Sequence, residues 1–316
     1  GLPASLISRM SEAAEERGHK GKYAVTLSRS IVEPFLTFSE RRDLRETAFK
    51  AWIGRGEGTG ERDNRPLVSE MVRLRAEKAA LLGFDSFAHY KLDDTMAKTP
   101  ENVRSLLGTV WEKARGRAAM EAAELSQLIA AEGLNHDVAP WDWRHYSEKA
   151  RAARYDFNEA EIRPYLQLEK MIDAAFHTAE TLFGITFRKH DDVCSYHPDV
   201  RVFEVLDATG RRIAIFLGDY FARPSKRSGA WMSAFQDQHK LATGSNGKSQ
   251  TPIVLNVMNF AKAPAGEPIL ITMDDARTLF HEFGHALHGM LSDVTYPSIS
   301  GTSVSRDFVE LPSQLY

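Results

Sequence analysis

Residues 272–291 read T-M-D-D-A-R-T-L-F-H-E-F-G-H-A-L-H-G-M-L. Thr272 stands three residues before Asp275, the spacing of a capping box, and Asp274 and Asp275 fall in the first turn, where the helix dipole favours negative charge. The stretch therefore opens a helix. At about 100° per residue, Ala276, Leu279, Phe280, Phe283, Leu287, Met290 and Leu291 share one apolar stripe. His281, His285 and His288 fall on roughly the opposite side, away from the core that this helix packs on.

Within that helix, H-E-F-G-H is an instance of H-E-x-x-H. Residues i and i+4 lie one turn apart, about 6 Å along the axis, so His281 and His285 can close on one ion. Zinc suits such imidazole ligands. Glu282 follows the first ligand and points beside the metal rather than at it, which suits a general base acting on water. Two histidines do not complete a zinc site. The extended motif that places a third histidine ten residues after the first has Leu291 there instead. His288 lies about 10 Å along the axis from His281 and cannot join both others, so it is read as a residue supporting the ligands.

Acidic residues downstream supply the remaining choice. After Glu282 the only glutamate is Glu310, beside Asp293 and Asp307. Glu310 follows His281 by 29 positions, in S-R-D-F-V-E-L-P-S-Q, a second helix expected after the turn-rich residues 298–305. Glu310 is the expected third ligand, with Asp307 as the other acid in reach and otherwise a supporting residue. Pro312 is expected to bend or interrupt that helix.

Composition bounds what surrounds the motif. The chain has 316 residues, 43% of them hydrophobic, and a formal net charge of −3. That is globular material for one large domain or two ordinary ones. No apolar run approaches the 18 residues of a membrane span, and no block of basic charge points to nucleic acid or anionic lipid. A lone cysteine, Cys194, cannot form an intramolecular disulfide and fits a reducing compartment, so a cytoplasmic location is expected. The sequence opens Gly1-Leu2-Pro3 with neither methionine nor a secretory leader, and a natural start elsewhere is expected. Nothing in the sequence fixes an oligomeric state.

In chain order, residues 1–184 read as mostly helical. Helices are expected over 5–17, 28–38, 40–52, 67–82, 86–96, 100–129 and 164–183, with a short strand over 23–27. Val103, Leu106, Leu107, Val110 and Trp111 read as core-facing. The glycine-rich segment 54–64 follows a helix rather than a strand, so it reads as a surface loop and not a phosphate cradle. The aromatic run Pro140–Tyr146 reads as a structural corner between helices. From Ile185 the pattern turns to strand. Residues 200–206 and 211–217 flank D-A-T-G as a β-hairpin. Cys194 and His197 make half of a C-x-x-H site with no second half nearby, and 242–250 reads as a polar loop. A further strand over 253–260 is tethered closely to the metal helix, so an extended peptide could add beside it, against Val257, Met258, Asn259 and Phe260.

At this point a resemblance becomes specific. N-F-A-K-A-P-A-G-E-P-I-L-I-T-M-D-D-A-R-T-L-F-H-E-F-G-H-A-L-H-G-M-L followed by S-G-T-S-V-S-R-D-F-V-E-L-P-S-Q resembles the thimet oligopeptidase family of zinc peptidases, nearest its bacterial peptidyl-dipeptidases. P-W-D-W-R-H-Y-S-E-K-A-R-A-A-R-Y, E-I-R-P-Y and K-R-S-G-A-W also resemble that family, so the likeness covers most of the chain. It implies His281, His285 and Glu310 as ligands of one zinc ion per chain, Glu282 as the catalytic base, and the strand over 253–260 as the family's substrate-aligning edge.

The resemblance further implies a mainly α fold with a small antiparallel or mixed sheet and a zincin-like core, two helical halves around a deep channel. On this reading, residues 1–184 form one channel wall and 185–316 carry the sheet and the zinc helices. Short unstructured peptides are the implied substrates, with release of C-terminal dipeptides as the implied reaction. Internal cleavage by an oligopeptidase, and a non-catalytic peptide-binding module with structural zinc, are the alternatives. Family members are roughly twice this length, so a fragment lacking the groups that support the oxyanion, with little activity of its own, is expected.

Overall fold

Ser86 and Thr99 each stand immediately before a helix, and in the computed structural model each hydroxyl accepts a hydrogen bond from a first-turn amide, of His89 and Asn102 respectively. The structure describes residues 1–58, 60–155, 159–193, 195–223, 225–241, 249–263 and 266–316. The chain divides into two units, one comprising residues 1–93 and 97–158, the other residues 94–96 and 159–316.

The first unit is helical among its described residues: α1 (Ala4–Glu15), α2 (Arg29–Phe38), α3 (Arg42–Ile53), α4 (Arg65–Leu81), α5 (Phe87–Leu92), α6 (Pro100–Ala131) and α7 (Pro140–Tyr155). Leu6 and Met10 of α1 pack with Val32, Phe35 and Leu36 of α2, while Leu125 and Ile129 of α6 meet Tyr146 of α7. The aromatic run is indeed a corner. It begins α7, and there the fully buried Asp142 receives Nη2 of Arg42 and Nη2 of Arg45, each at 2.9 Å, together with the amide of Ala139. Trp141 lies edge-on to Phe49, under the cations of Arg42 and Lys50. The described part of 54–64 is a loop with a short 3-10 turn at Gly60–Arg62.

Three local expectations are corrected. Residues 23–27 form no strand, and among the described residues no strand lies in this unit to pair with; the amide of Ala24 instead donates to the carbonyl of Met10. Helix α5 has six residues rather than the whole of 86–96. The apolar run of α6 is not core: Leu106 is 69% exposed and Trp111 65%. The reason is length. Helix α6 has 32 residues, about 48 Å of rise, whereas the α7 that packs on its C-terminal part has 16.

The second unit begins with α8 (Glu159–Ile162) and α9 (Leu168–Phe183), so α9 belongs with the sheet rather than with the helices before it. Leu168, Ile172, Ala175 and Ala179 line one face of α9 and pack into the sheet's core, which draws the boundary back from the expected residue 184. Gly184 then turns the chain at φ +66° into β1 (Thr186–His190). The hairpin is as read: β2 (Arg201–Leu206) and β3 (Arg212–Phe221) pair antiparallel around a turn in which Asp207 Oδ1 accepts the amides of Thr209 and Arg211.

With β4 (Trp231–Gln236) and β5 (Ile253–Phe260), the strand order is β1-β2-β3-β5-β4. β3 and β5 run parallel and the other neighbours antiparallel, so the sheet is mixed. This order overturns the edge assignment for 253–260. β5 lies between β3 and β4, and the two edges of the sheet are β4, beside β5, and β1. Helix α10 (Met273–Met290) lies against β3, β4 and β5, and a short helix α11 (Glu310–Leu315) lies against α10. No helix among the described residues is long and apolar enough to cross a membrane.

Candidate metal centre

Helix α10 starts where its capping box says it should. Thr272 Oγ1 accepts the amide of Asp275, and Asp275 Oδ2 accepts the amide of Thr272, both at 3.0 Å. Phe283 and Leu287 then anchor the apolar stripe, Phe283 meeting Phe216 of β3 at 5.3 Å and Phe176 of α9 at 5.5 Å between ring centres. That packing fixes the rotation of α10 and turns His281 and His285 toward α11. Their rings stand 4.9 Å apart and nearly perpendicular.

Glu310 is the first residue of α11. Its Oε2 lies 3.3 Å from His281 Nε2 and 3.1 Å from His285 Nε2. Pro312 does not break the helix, because in the first turn its missing N–H has no intrahelical partner to lose. Among the described residues His281, His285 and Glu310 form the one group of three ligand-type side chains whose donor atoms converge, all within 4.8 Å. Atoms bound tetrahedrally to an ion at 2.0–2.1 Å stand about 3.3 Å apart, so the spacing to Glu310 fits two imidazoles and a carboxylate around zinc. His285 Nδ1 is buried with no hydrogen-bond partner among the described residues.

Glu282 sits beside the group and is 8% exposed. Burial pushes its carboxyl above the usual range, opposed by His281 and by the backbone amide of Met232 in β4, and assisted by Glu310. A carboxyl moved in that direction is suited to taking and returning a proton. Burial pulls His285 below its ordinary value, against the carboxylate of Glu310, and pulls His288 down with help from His285.

The other expected site residues lie around this group as follows. His288 is not in the ligand group; its ring lies 6.4 Å from that of Phe308, and its Nδ1 is buried and unpartnered among the described residues. Asp307 Oδ1 accepts the amide of Met96. Val257, Met258 and Phe260 are buried in the sheet, and Asn259 Nδ2 donates to the carbonyls of Arg227 and Gly229, bracing the turn that leads into β4. β4 pairs with β5 only as far as Val257, and beyond that point Arg227 and Gly229 face Asn259. His197 lies outside the ligand group, and Cys194 and residues 242–248 lie outside the described residues.

Sequence reasoning missed three participants: Met232, whose amide faces Glu282, and Gly284 and Ser313, where α10 and α11 touch. The glycine inside H-E-F-G-H was the available signal, since an interior helical glycine marks a close approach.

Comparison with known proteins gives the same direction. The sequence is 40% identical over 316 residues to dipeptidyl carboxypeptidase of Escherichia coli, covering all of this chain and 46% of that protein. It is 36% identical over 319 residues to oligopeptidase A of Salmonella typhimurium, covering 99% of this chain and 46% of the relative. Mitochondrial intermediate peptidase 1 of Cryptococcus neoformans matches at 32% over 295 residues. The chain thus spans about half the length of these curated relatives. The profile of Peptidase family M3 matches residues 35–316, from α2 to the end of α11, and with it both elements of the candidate centre: the chain belongs to peptidase family M3.

Proposed function

We propose that this chain carries the zinc centre of a peptidase that cleaves short unstructured peptides. The observation that carries the reading is the convergence of His281, His285 and Glu310 with Glu282 buried beside them. The three would hold the ion. Zinc so held supplies Lewis acidity toward water and toward a peptide carbonyl.

The rest falls to the chain's own groups. Glu282 takes a proton from the attacking water on one carboxylate oxygen as the C–O bond forms, and then gives that proton to the amide nitrogen, whose C–N bond breaks to release the amine. Edge strand β4 aligns the substrate by strand addition, in place of β5. Support for β4 is the Met232 amide, which brings that strand to the catalytic carboxylate. Release of C-terminal dipeptides is the preferred reaction, after the dipeptidyl carboxypeptidases, with internal cleavage as in the oligopeptidases the second reading. The deep channel that would restrict access to short peptides belongs to the same proposal.

The test is made on the purified protein. Glu282→Gln should leave about one zinc per chain by elemental analysis while dipeptide release from a short acetylated peptide falls by about 10²–10⁴-fold. Unchanged turnover would remove Glu282 from the mechanism. A wild-type protein that retains no zinc would remove the centre itself.

A further inference from the structure

Helix α10 has two buried glycines, and they face different neighbours. A Cβ added to Gly289 would meet first the Cε of Met232, the flexible tip of a side chain, at 2.7 Å. A Cβ added to Gly284 would stand 2.8 Å from Ser313 Cα and 3.2 Å from Pro312 O, both backbone atoms of α11. Backbone cannot rotate aside. Ordinary contact begins near 3.4 Å, so α11 would have to retreat by about 0.6 Å (3.4 − 2.8). It has no easy way to do so, because Tyr316 stacks on Phe280 of α10 and reaches the carbonyl of Ala175 in α9.

Glu310 opens α11, and Ser313, 2% exposed, lies one turn after it. The Ser313 hydroxyl lies 2.9 Å from the Glu310 carbonyl and 3.0 Å from Oε2, the same oxygen that faces both histidines. We infer that the contact between Gly284 and Ser313 positions the third metal ligand: the missing Cβ sets how close α11 comes, and the hydroxyl sets where the carboxylate points. A metal site tolerates deviations of about 0.2 Å in its bonds, less than the retreat that a methyl group at position 284 would force. The inference rests on the zinc reading above and goes beyond it by giving two residues that touch neither metal nor substrate a measurable part in metal affinity.

The experiment measures zinc affinity by chelator competition and the thermal midpoint of the metal-free protein. Gly284→Ala and Ser313→Ala should each weaken zinc by about 10–100-fold, the usual effect of removing a group that orients a ligand. The metal-free midpoint should stay near that of the unaltered protein in Ser313→Ala, whose hydroxyl donates only within its own turn, and should fall in Gly284→Ala, where the added Cβ meets the backbone of α11. Gly289→Ala is the control: its first neighbour is the flexible tip of Met232 rather than the backbone of α11, so zinc affinity should stay as it was. Unaltered zinc binding in both Gly284→Ala and Ser313→Ala would overturn the inference. If Gly284→Ala does not fold, Ser313→Ala decides alone. Glu310→Gln separates the two levels: if it too binds zinc normally, the ligand assignment fails, whereas weakened binding in Glu310→Gln alone defeats only the positioning role.

Discussion

Oε2 of Glu310 stands 3.1 Å from Nε2 of His285, although the two side chains come from separate helices. A zinc ion bridging them would tie α11 to α10 in the folded state alone, and would then stabilise the fold by mass action. At a free zinc concentration 100 times Kd the gain is about 2.7 kcal/mol, and a chelator removes it. Thermal denaturation with zinc and with chelator should therefore give separated midpoints for the unaltered protein. For Glu310→Ala the two midpoints should draw together. Equal separation in both would show that Glu310 is not a ligand.

Asp142 in the first unit is fully buried and holds two guanidinium groups, of which that of Arg45 is 2% exposed. Removing the carboxylate leaves those charges without their counter-ion in the interior. Loss of one member of a buried ion pair costs about 3–5 kcal/mol. Asp142→Ala should lower unfolding stability by that amount, read from the fluorescence of Trp52, Trp141 and Trp143 in urea. A loss under about 1 kcal/mol, the scale of an exposed pair, would mean that the cluster is solvated.

The same carboxylate makes the first unit sensitive to acid. Burial alone would raise its pKa, but the bonds from Arg42, Arg45 and the Ala139 amide outweigh burial and hold it below the ordinary value. A folded-state pKa depressed in this way contributes stability that is fully present above the unfolded value of about 3.9 and is lost as pH falls through the folded value. Between pH 5 and pH 3, unaltered protein should lose more stability than Asp142→Asn. Parallel pH profiles for the two would assign the acid sensitivity to other groups, of which Asp219, buried and bonded to Arg223 and Lys226, is the next to replace.

Legibility in the sequence followed the range of the interactions. The capping box at Thr272 and the i, i+4 histidines are local, and they stand in the structure where the pattern put them. Glu310 was legible because few acids follow His281. Strand order was not. Nothing within residues 253–260 says that residues 231–236 pair beside them, so an interior strand read as an edge. Likewise the apolar run Val103–Trp111 has core periodicity, yet exposure depends on how far α7 reaches along α6, a fact held in the length of another element. The division into units moved for a similar reason: α9 is helical by pattern but joins the sheet by its buried face.

Strand order also changes what a bound peptide should look like. A substrate added to the free edge of β4 exchanges backbone hydrogen bonds with every second residue, the period of a strand. Each such bond is worth about 0.5–1.5 kcal/mol net, roughly a 2- to 12-fold change in affinity. Replacing one backbone N–H at a time by N-methyl, in a short peptide bound to the Glu282→Gln protein, should therefore weaken binding at alternate positions and spare those between. If Glu282 is the base, the alternation should continue away from the position facing Met232, whose amide lowers the Glu282 pKa. Side-chain recognition without strand addition predicts no such period. A flat N-methyl profile would return β4 to a structural role and leave the peptide held by groups outside this chain.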